Sequence, residues 1–419
     1  MGASAEPIEV TTGRFPALAS PVYRRFLSGS FLATLGAFMQ ATAQGWLVLQ
    51  LTNSPALLGL VGAVAGVPTL FLAAVAGVLA DRMDRRRLLV WGYALSAALG
   101  GILALLTTLQ VIQYWEVAAI AFLGGIVLTI QMPVSQAIVS SIVDRAVLGS
   151  AIALNAAQYN IARILGPSIA GIAIAAGGLA FGFWANALAL VAVALVIARL
   201  PIPSTRAAGR IQAAMWGDLQ DGVRLVSRDR QLGTLIALAG VPALFVLPYL
   251  TFLPVYARDI LMIGAPGLGV LTGSIGLGAL AGALLVATRR PSGGSGRLVL
   301  AGLGCIALSL FVFATSRSVP LSMFALAILG ASQVAYYSTT NTLLQVRVPA
   351  RMRGRVHSLY VLTSIGLLPI GNLVTGAIAE RTGVPAVLAT GAIVTLVVGA
   401  LATLDSTLRQ THAHVDAGT

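Results

Sequence analysis

Residues 55–87 of the chain read PALLGLVGAVAGVPTLFLAAVAGVLADRMDRRR. From 55 to 80 this stretch contains no charged side chain, and it exceeds the roughly 20 apolar residues that a helix needs to cross a bilayer. Arg82 and further arginines follow almost at once. An apolar run that ends in basic residues is the pattern of a transmembrane helix whose last turn lies at the cytoplasmic face.

The same alternation of apolar runs and short polar breaks continues along the whole sequence. Hydrophobic residues make up 58% of the 419 residues and charged residues only 9%, whereas soluble domains carry about 25% charged residues. This composition excludes a soluble enzyme and a disordered chain, and runs this apolar exclude a membrane β-barrel. The sequence predicts an all-α integral membrane protein of twelve transmembrane helices, arranged as two six-helix bundles. Their predicted positions, called spans 1 to 12, are 26–50, 55–80, 87–109, 115–140, 148–174, 178–199, 232–257, 266–288, 297–315, 319–343, 355–379 and 384–405.

The basic residues predict the orientation of these spans. All 26 are arginine, and the net charge is +13. With a cytoplasmic N-terminus, 22 of the 26 fall in the termini and loops on the cytoplasmic side, and only Arg258, Arg317 and Arg381 fall in outer loops. Because cytoplasmic loops of membrane proteins are rich in Arg and Lys, we predict a multi-pass protein of the cell membrane with both termini in the cytoplasm. The charge therefore indicates orientation and not a nucleic-acid partner.

The chain divides into two related halves. We predict a cytoplasmic tail at 1–24, a six-helix bundle at 25–199, a cytoplasmic linker at 200–231, a second six-helix bundle at 232–405 and a cytoplasmic tail at 406–419. In the linker, Met215, Leu219 and Val223 recur at helical spacing, which predicts an amphipathic helix along the inner membrane face. Leucines and glycines within 58–92 match those within 268–302 without a gap, and duplicated six-span halves are typical of secondary transporters.

The loop after span 2 carries a recognisable motif. Gly77–Arg87, GVLADRMDRRR, resembles the signature G-x-x-x-D-R-x-G-R-R/K of the major facilitator superfamily, with Asp84 where the pattern has glycine. The resemblance implies a gate that locks the cytoplasmic side, in which Gly77 permits close helix contact and Asp81 accepts bonds from a helix N-terminus and an arginine. The predicted gate residues are Gly77, Asp81, Arg82, Arg85, Arg86 and Asp144.

Span 5 carries a second motif. Gly166-Pro167-x-x-x-Gly171 resembles the Gly-Pro motif found in span 5 of exporters of this superfamily, where the proline permits a bend and the glycines permit close helix approach. The segment 341–356 before span 11 is similar to the drug and siderophore exporters of the enterobactin-exporter type. The whole resemblance covers about 24–404 and implies an exporter.

The resemblance also implies where a substrate lies, in a cavity at the midplane between the halves. Polar side chains on the spans that line it are the candidates, because each costs free energy unless it faces protein or water. Amides and phenols among apolar walls suit an amphipathic ligand held by a few polar contacts; the alternative for each is hydrogen bonding between helices. The predicted cavity residues are Gln40, Gln44, Gln131, Gln136, Asn155, Gln158, Arg163, Tyr249, Gln333, Tyr336, Tyr337, Thr340 and Tyr360.

Arg163 is the one arginine that lies in the interior of a predicted span and not at its end. It lies roughly 21 Å along span 5 at 1.5 Å per residue, where an arginine costs at least about 2.5–3.5 kcal/mol on insertion scales. It is therefore predicted to face the bundle interior. Two interpretations stand: an anion site for a carboxylate, phosphate or catecholate, or a structural residue that bonds Asn155, Asn160 or helix carbonyls.

No energy source is visible among the residues. None of the thirteen acidic residues falls in the middle of a span, and the nearest are Asp81, Glu116 and Asp144. A chain without lysine has no P-loop for ATP, and no catalytic, metal-binding or cofactor motif is present, so neither enzyme activity nor a cofactor nor a metal is predicted. The resemblance implies proton antiport. The predicted partners are a small-molecule substrate, H⁺ and the lipid bilayer, with no nucleic acid and a monomeric carrier.

The sequence thus predicts a secondary transporter that exports small amphipathic molecules, such as drugs or siderophores, by alternating access. Two alternatives stay open. The first is an importer or a lipid-type flippase on the same fold. The second is a membrane scaffold that no longer transports, against which the nearly intact motif at Asp81-Arg82 argues.

Overall fold

The structure is a computed structural model that describes residues 15–202, 223–288, 295–349 and 352–404, apart from the side chains of Ala74, Asp81 and Ser295. Within these ranges the chain is almost entirely helical, and the predicted all-α membrane fold of twelve spans is confirmed. Most of the linker with its predicted amphipathic helix lies outside the described residues, as do residues 1–14 of the N-terminal tail and the whole C-terminal tail.

The first half contains spans 1 to 6. Spans 5 and 6 form one helical stretch, Leu148–Arg199, which is interrupted at Gly178 (φ 77°). A left-handed φ is open to glycine at little steric cost, so the chain turns there without a loop. Eleven long apolar helical stretches therefore supply twelve spans. The others are span 1, Pro21–Thr52, span 2, Pro55–Arg82, span 3, Arg85–Thr108, and span 4, Tyr114–Ile142.

The second half contains spans 7 to 12, and two of them are broken. Span 7 consists of Arg230–Phe245, Tyr249–Val255 and a π-helical turn at Tyr256–Ile260. Span 11 consists of Arg353–Ser364 and Leu368–Thr382. The continuous ones are span 8, Gly264–Thr288, span 9, Ser295–Thr315, span 10, Val319–Arg347, and span 12, Val384–Leu404.

The two breaks have a chemical cause and pack against each other. Pro248 and Pro369 carry no backbone N–H, so each removes a helical hydrogen bond beside a break. A Cβ atom on Gly371 would lie 2.7 Å from the carbonyl oxygen of Ala243 and 3.0 Å from Pro248 Cγ. Glycine therefore lets span 11 approach the broken part of span 7. Broken helices in transporters commonly surround the binding site, and Tyr249 begins the second segment of span 7.

The surface of the spans that would face the lipid is apolar, as a bilayer requires. Phe71, Trp91, Leu188 and Leu284 are each more than half exposed. Contiguous apolar surface of this kind is rare in soluble monomers. It supports a multi-pass membrane protein whose backbone polar groups are satisfied within the helices.

The two halves meet at one end of the spans. We call the end away from both termini the outer end and the opposite one the inner end. Span 2 packs against span 11 and span 5 against span 8. A Cβ on Gly59 would lie 2.5 Å from the carbonyl oxygen of Asn372, and one on Gly269 would lie 2.7 Å from Ser168 Cα. Both contacts lie in the outer half of the spans, and small residues at such an interface let two helix backbones touch.

Candidate transport site

The predicted cavity residues fall into two groups. Gln40, Gln44 and Gln131 line a cavity of about 190 Å³ whose walls come from spans 1, 2, 3, 4 and 6. This cavity lies inside the first half and not at the boundary with the second half. Gln44 Nε2 and Gln131 Nε2 are buried and have no hydrogen-bond partner. A cavity of this size has room for several ordered waters beside its few polar groups, and a role of the three glutamines in substrate binding stays a prediction.

Sequence reasoning missed three polar residues of this cavity, Tyr93, Ser96 and Asn186. Asn186 of span 6 donates from Nδ2 to Gln40 Oε1 at 2.6 Å, and its side chain is almost fully buried. An asparagine in the middle of an apolar run is the signal that could have identified it. Two others from the prediction lie away from the cavity lining: Gln136 is exposed, and Asn155 is half-buried on span 5.

The second group lies where span 5 faces spans 7 and 10. Arg163 is close enough to interact electrostatically with the phenols of Tyr159 and Tyr249. Tyr249 in turn neighbours Gln333 and Tyr337 of span 10. Arg163 of the first half thus lies near Tyr249, Gln333 and Tyr337 of the second half, and we call this group of neighbouring residues the donor crevice. Gln158, also of span 5, has a buried Oε1 atom without a partner.

Hydrogen bonding separates the tyrosines and threonine of this region into two classes. Tyr336 donates to the Leu238 carbonyl at 2.7 Å, Tyr360 donates to the Tyr337 carbonyl at 3.0 Å, and Thr340 donates to the Tyr336 carbonyl at 2.8 Å. The two tyrosine hydroxyls join neighbouring helices, whereas Thr340 bonds within its own helix. The hydroxyls of Tyr249 and Tyr337 are buried and make no hydrogen bond of normal geometry among the described residues, although the Tyr249 hydroxyl lies beside the side chain of Gln333. Because unpaired buried polar groups are costly, the second class is available for a ligand.

The structure bears on the two interpretations of Arg163. Asn160 donates from Nδ2 to the Ala156 carbonyl at 2.8 Å, within its own helix. Arg163 Nε is buried and has no hydrogen-bond partner. Among the described residues, neither Asn155, Asn160 nor a helix carbonyl bonds to Arg163. The contacts that a helix-stiffening role requires are therefore missing in this conformation.

The Gly-Pro motif of span 5 packs as its glycines predict. A Cβ on Gly166 would lie 2.6 Å from Phe38 Cβ of span 1, and one on Gly171 would lie 2.5 Å from the Ala265 carbonyl oxygen at the start of span 8. Pro167 lies inside the helix and is buried. The motif thus brings span 5 into contact with both halves, on the outer side of Arg163.

The predicted cytoplasmic gate is described only in part, and its role stays a prediction. The side chain of Asp81 lies outside the described residues. Gly77 was predicted to make close helix contact, but a Cβ there would meet no described atom within 4 Å. Asp144 is exposed, and Arg82 is exposed too. Gly149 and Gly354, also at the inner end, are equally free of neighbours.

Two of the motif arginines bond to carbonyls of the first half. Arg85 donates to the carbonyls of Ala80 and Ala137, and Arg86 donates to the Ala198 carbonyl. Asp84, the departure from the signature, accepts from the backbone N–H of Arg87 at 2.8 Å and so caps span 3. A carboxylate is favourable at a helix N-terminus, which explains why aspartate fits this position.

A carboxylate of the second half bonds to the first half at the outer end. Glu380, near the end of span 11, accepts from the Ser54 hydroxyl at 2.8 Å and from the Ala56 backbone N–H at 2.9 Å. It therefore caps the N-terminus of span 2 across the boundary, where the helix dipole favours negative charge. Arg258 of span 7 donates to the Leu49 carbonyl at 2.7 Å beside it. We call the contact of Glu380 with span 2 the outer latch.

We predict that Glu380→Ala weakens this latch. Loss of a helix cap costs about 0.5–2 kcal/mol, so the population open at the outer end should rise roughly twofold to thirtyfold. The measurement is the rate at which an impermeant thiol reagent labels Thr251→Cys from outside, in a Cys305→Ser background. Glu116→Ala is the matched control, because Glu116 caps only its own helix at the same end. An unchanged labelling rate in Glu380→Ala would contradict the latch.

Two packed halves with a polar crevice between them define a membrane transport protein and not an enzyme. The chain belongs to the transmembrane secretion effector family of the major facilitator superfamily, since the family model matches residues 12–418. The predicted superfamily is thereby confirmed. A search of curated protein sequences finds no match to the chain.

Solved structures with the same fold are distant in sequence. The nucleoside transporter NupG has 14% identity and a TM-score of 0.73, covering 93% of this chain and 99% of that chain. A D-xylose-proton symporter has 15% identity and a TM-score of 0.72, covering 93% and 97%. A bacterial homologue of the iron transporter ferroportin, in an inward-facing state, has 15% identity and a TM-score of 0.69, covering 91% and 98%. At these identities the likeness establishes the fold alone.

Proposed function

We propose that the protein exports small amphipathic molecules across the cell membrane by alternating access, with the donor crevice as the substrate site. One observation carries the proposal: buried polar atoms without partners, supplied by both halves, meet in one crevice. Such groups are costly unless a ligand or water satisfies them. A site built from both halves can be exposed to either side when the halves rock.

The packing at the outer end supports rocking of the halves. The contacts between them include glycines against backbone, the Glu380 cap, the Arg258 guanidinium on the Leu49 carbonyl and the Ser168 hydroxyl, which donates to the Gly269 carbonyl at 3.0 Å. No described side-chain ion pair joins the halves there. Close packing and neutral hydrogen bonds of this kind can separate and reform while the inner end closes in exchange.

Export is favoured over the alternatives by two observations. The family is described as transmembrane secretion effectors, and the Gly-Pro motif of span 5 resembles that of exporters. An importer or a lipid flippase would use the same fold and differs in direction or in substrate. Proton antiport is part of the proposal and rests on the resemblance, since no acidic residue occupies the middle of a described span.

The direct test is uptake into inside-out vesicles, for which uptake corresponds to export. The panel contains fluorescent dyes, antibiotics, catecholates and lysophospholipids, with and without an imposed proton gradient. We expect uptake of at least one amphipathic member, which collapses when the gradient is dissipated. Uptake only by right-side-out vesicles would establish import, movement of lysophospholipids alone would establish a flippase, and no movement of any member would favour a scaffold.

We predict that Tyr249→Phe lowers transport of the panel substrate about tenfold. The change removes a hydroxyl that makes no hydrogen bond of normal geometry to the protein, so the lost free energy comes from the ligand contact, about 0.5–1.5 kcal/mol or up to 3 kcal/mol for a charged ligand. Tyr256→Phe is the control, because Tyr256 is equally buried on the same span and donates to the Ala314 carbonyl at 3.0 Å. If both variants transport alike, Tyr249 does not touch the substrate.

A further inference from the structure

We infer that the donor crevice is an anion site, so that the exported molecule carries a carboxylate or a phosphate on an apolar body and binds it at Arg163. This inference rests on the proposed transport function and names its substrate class. The observations that carry it are the chemical types of the partnerless atoms, the isolation of the arginine charge and the aromatic surface beside it.

The partnerless atoms are mostly donors. Arg163 Nε and Gln333 Nε2 can only donate, and the hydroxyls of Tyr249 and Tyr337 can each donate one hydrogen. Gln158 Oε1 is the one atom of the group that can only accept. A ligand that presents several acceptor atoms close together would satisfy most of this set. A carboxylate or phosphate does so, whereas a protonated amine presents no acceptor.

The charge of Arg163 is not compensated by the protein. Among the described residues Arg163 forms no ion pair; the pair that is present, Arg258 with Asp259 at 2.6 Å, lies at the outer end. An arginine fork binds carboxylate and phosphate oxygens through paired, charge-assisted hydrogen bonds. A bound monoanion would make the crevice neutral at the moment both ends are closed. A neutral ligand would leave the positive charge unpaired in that state, which is unfavourable.

Aromatic side chains beside the arginine suit the apolar body of such a ligand. Phe38 and Tyr159 pack edge to face with ring centroids 5.5 Å apart, one helical turn from Arg163. Tyr336 and Tyr337 form a second edge-to-face pair at 5.3 Å on span 10. A ligand with its anionic group at Arg163 would therefore lie between aromatic surfaces from the two halves, which favours flat apolar bodies.

The test compares four probes with one aromatic body in inside-out vesicles: naphthylacetic acid, naphthylmethylphosphonic acid, naphthylacetamide and naphthylethylamine. Rates are corrected with protein-free vesicles. We expect the wild type to move one or both acids at least tenfold faster than the amide and the amine, since hydrogen bonds to charged groups are the strong ones. The better acid tells whether the site prefers a carboxylate or a phosphate.

Variants separate ligand binding from structure. Arg163→Gln should slow transport of the preferred acid about tenfold to a hundredfold and leave the amide rate unchanged, while Arg163→Lys should retain part of the preference for the acid. Arg317→Gln, which removes an exposed charge at the outer end, should change neither. Equal wild-type rates for acid and amide, or an equal loss of both rates in Arg163→Gln, would overturn the anion site while leaving transport intact. If the wild type moves no probe, the proposed function itself fails for this class of molecule, and the anion site fails with it.

Discussion

Gly59→Leu is expected to abolish transport while the protein still folds. Gly59 lies where span 2 meets span 11, and a Cβ there would lie 2.5 Å from the carbonyl oxygen of Asn372 and 2.9 Å from Gly376 Cα. Both neighbours are backbone and cannot rotate away. A leucine therefore keeps the outer ends of the two halves apart, but it does not disturb the packing within either half. Transport should fall at least tenfold, because the carrier can no longer close its outer end.

The measurement combines transport with the thiol labelling of Thr251→Cys described above. In Gly59→Leu we expect labelling from outside to be permanently fast and the purified protein to keep its elution volume and melting temperature. Gly304→Leu is the matched control, since a Cβ at Gly304 meets nothing within 4 Å. Normal transport in Gly59→Leu would show that the outer contact is not part of the transport cycle.

Gly278→Leu is expected to have a different and equally large effect, namely loss of the folded second half. A Cβ on Gly278 of span 8 would contact the carbonyl oxygen of Ala327 of span 10 and lie 2.7 Å from Ala327 Cα. Gly330 meets the Ile275 carbonyl in the same way from the other side. Overpacking costs about 1–3 kcal/mol when side chains can adjust. Here the neighbouring atoms belong to the backbone and cannot rotate away, so we expect a free-energy cost at the upper end of that range.

The melting temperature of the purified protein and its amount in the membrane test this prediction. We expect Gly278→Leu to melt roughly 10 °C lower or to fail to accumulate, given the usual relation between free energy and melting temperature. Gly304→Leu serves again as the control. If Gly278→Leu is as stable as wild type but inactive, spans 8 and 10 move relative to each other and the second half is not a rigid unit.

The sequence was sufficient for the helices and for their order. Long apolar runs ended by arginines predict spans because an unsatisfied backbone is not tolerated in lipid. The observed helix boundaries differ from the predicted ones where a capping residue determines the first or last turn. Span 1 begins at Pro21 and not near 26, because the Ser20 hydroxyl accepts from the Tyr23 N–H at 3.2 Å. Spans 5 and 6 are joined without a loop because Gly178 adopts φ 77°.

The sequence was not sufficient for the breaks in spans 7 and 11. Span 7 contains Pro242, Pro248 and Pro254, of which only Pro248 lies at the break, because a proline inside a membrane helix is compatible with a continuous helix when neighbours satisfy the freed carbonyl. Only the packing of Gly371 against Ala243 and Pro248 shows that the two breaks belong together. Packing between distant segments is not encoded in the local pattern of either.

The candidate site shows the same limit. Polar residues in apolar runs identified Arg163, Tyr249, Gln333 and Tyr337, but the sequence could not separate them from Tyr336, whose hydroxyl binds the Leu238 carbonyl. Nor could it place Gln40, Gln44 and Gln131 in a cavity of the first half. Helical spacing indicates which residues share one face of a helix. Their hydrogen-bond partners depend on which neighbouring helix packs against that face.

The central claim is that the halves separate at their outer ends in every transport cycle, and reversible cross-linking tests it most directly. Ser54 and Glu380 bond across the boundary, so Ser54→Cys and Glu380→Cys are combined with Cys305→Ser, which removes the exposed native thiol. A short, reducible methanethiosulfonate cross-linker then joins the halves. We predict that transport stops on cross-linking, that binding from the inner side persists and that a reductant restores transport to the rate of the uncross-linked variant. Full transport by the cross-linked protein would contradict the account.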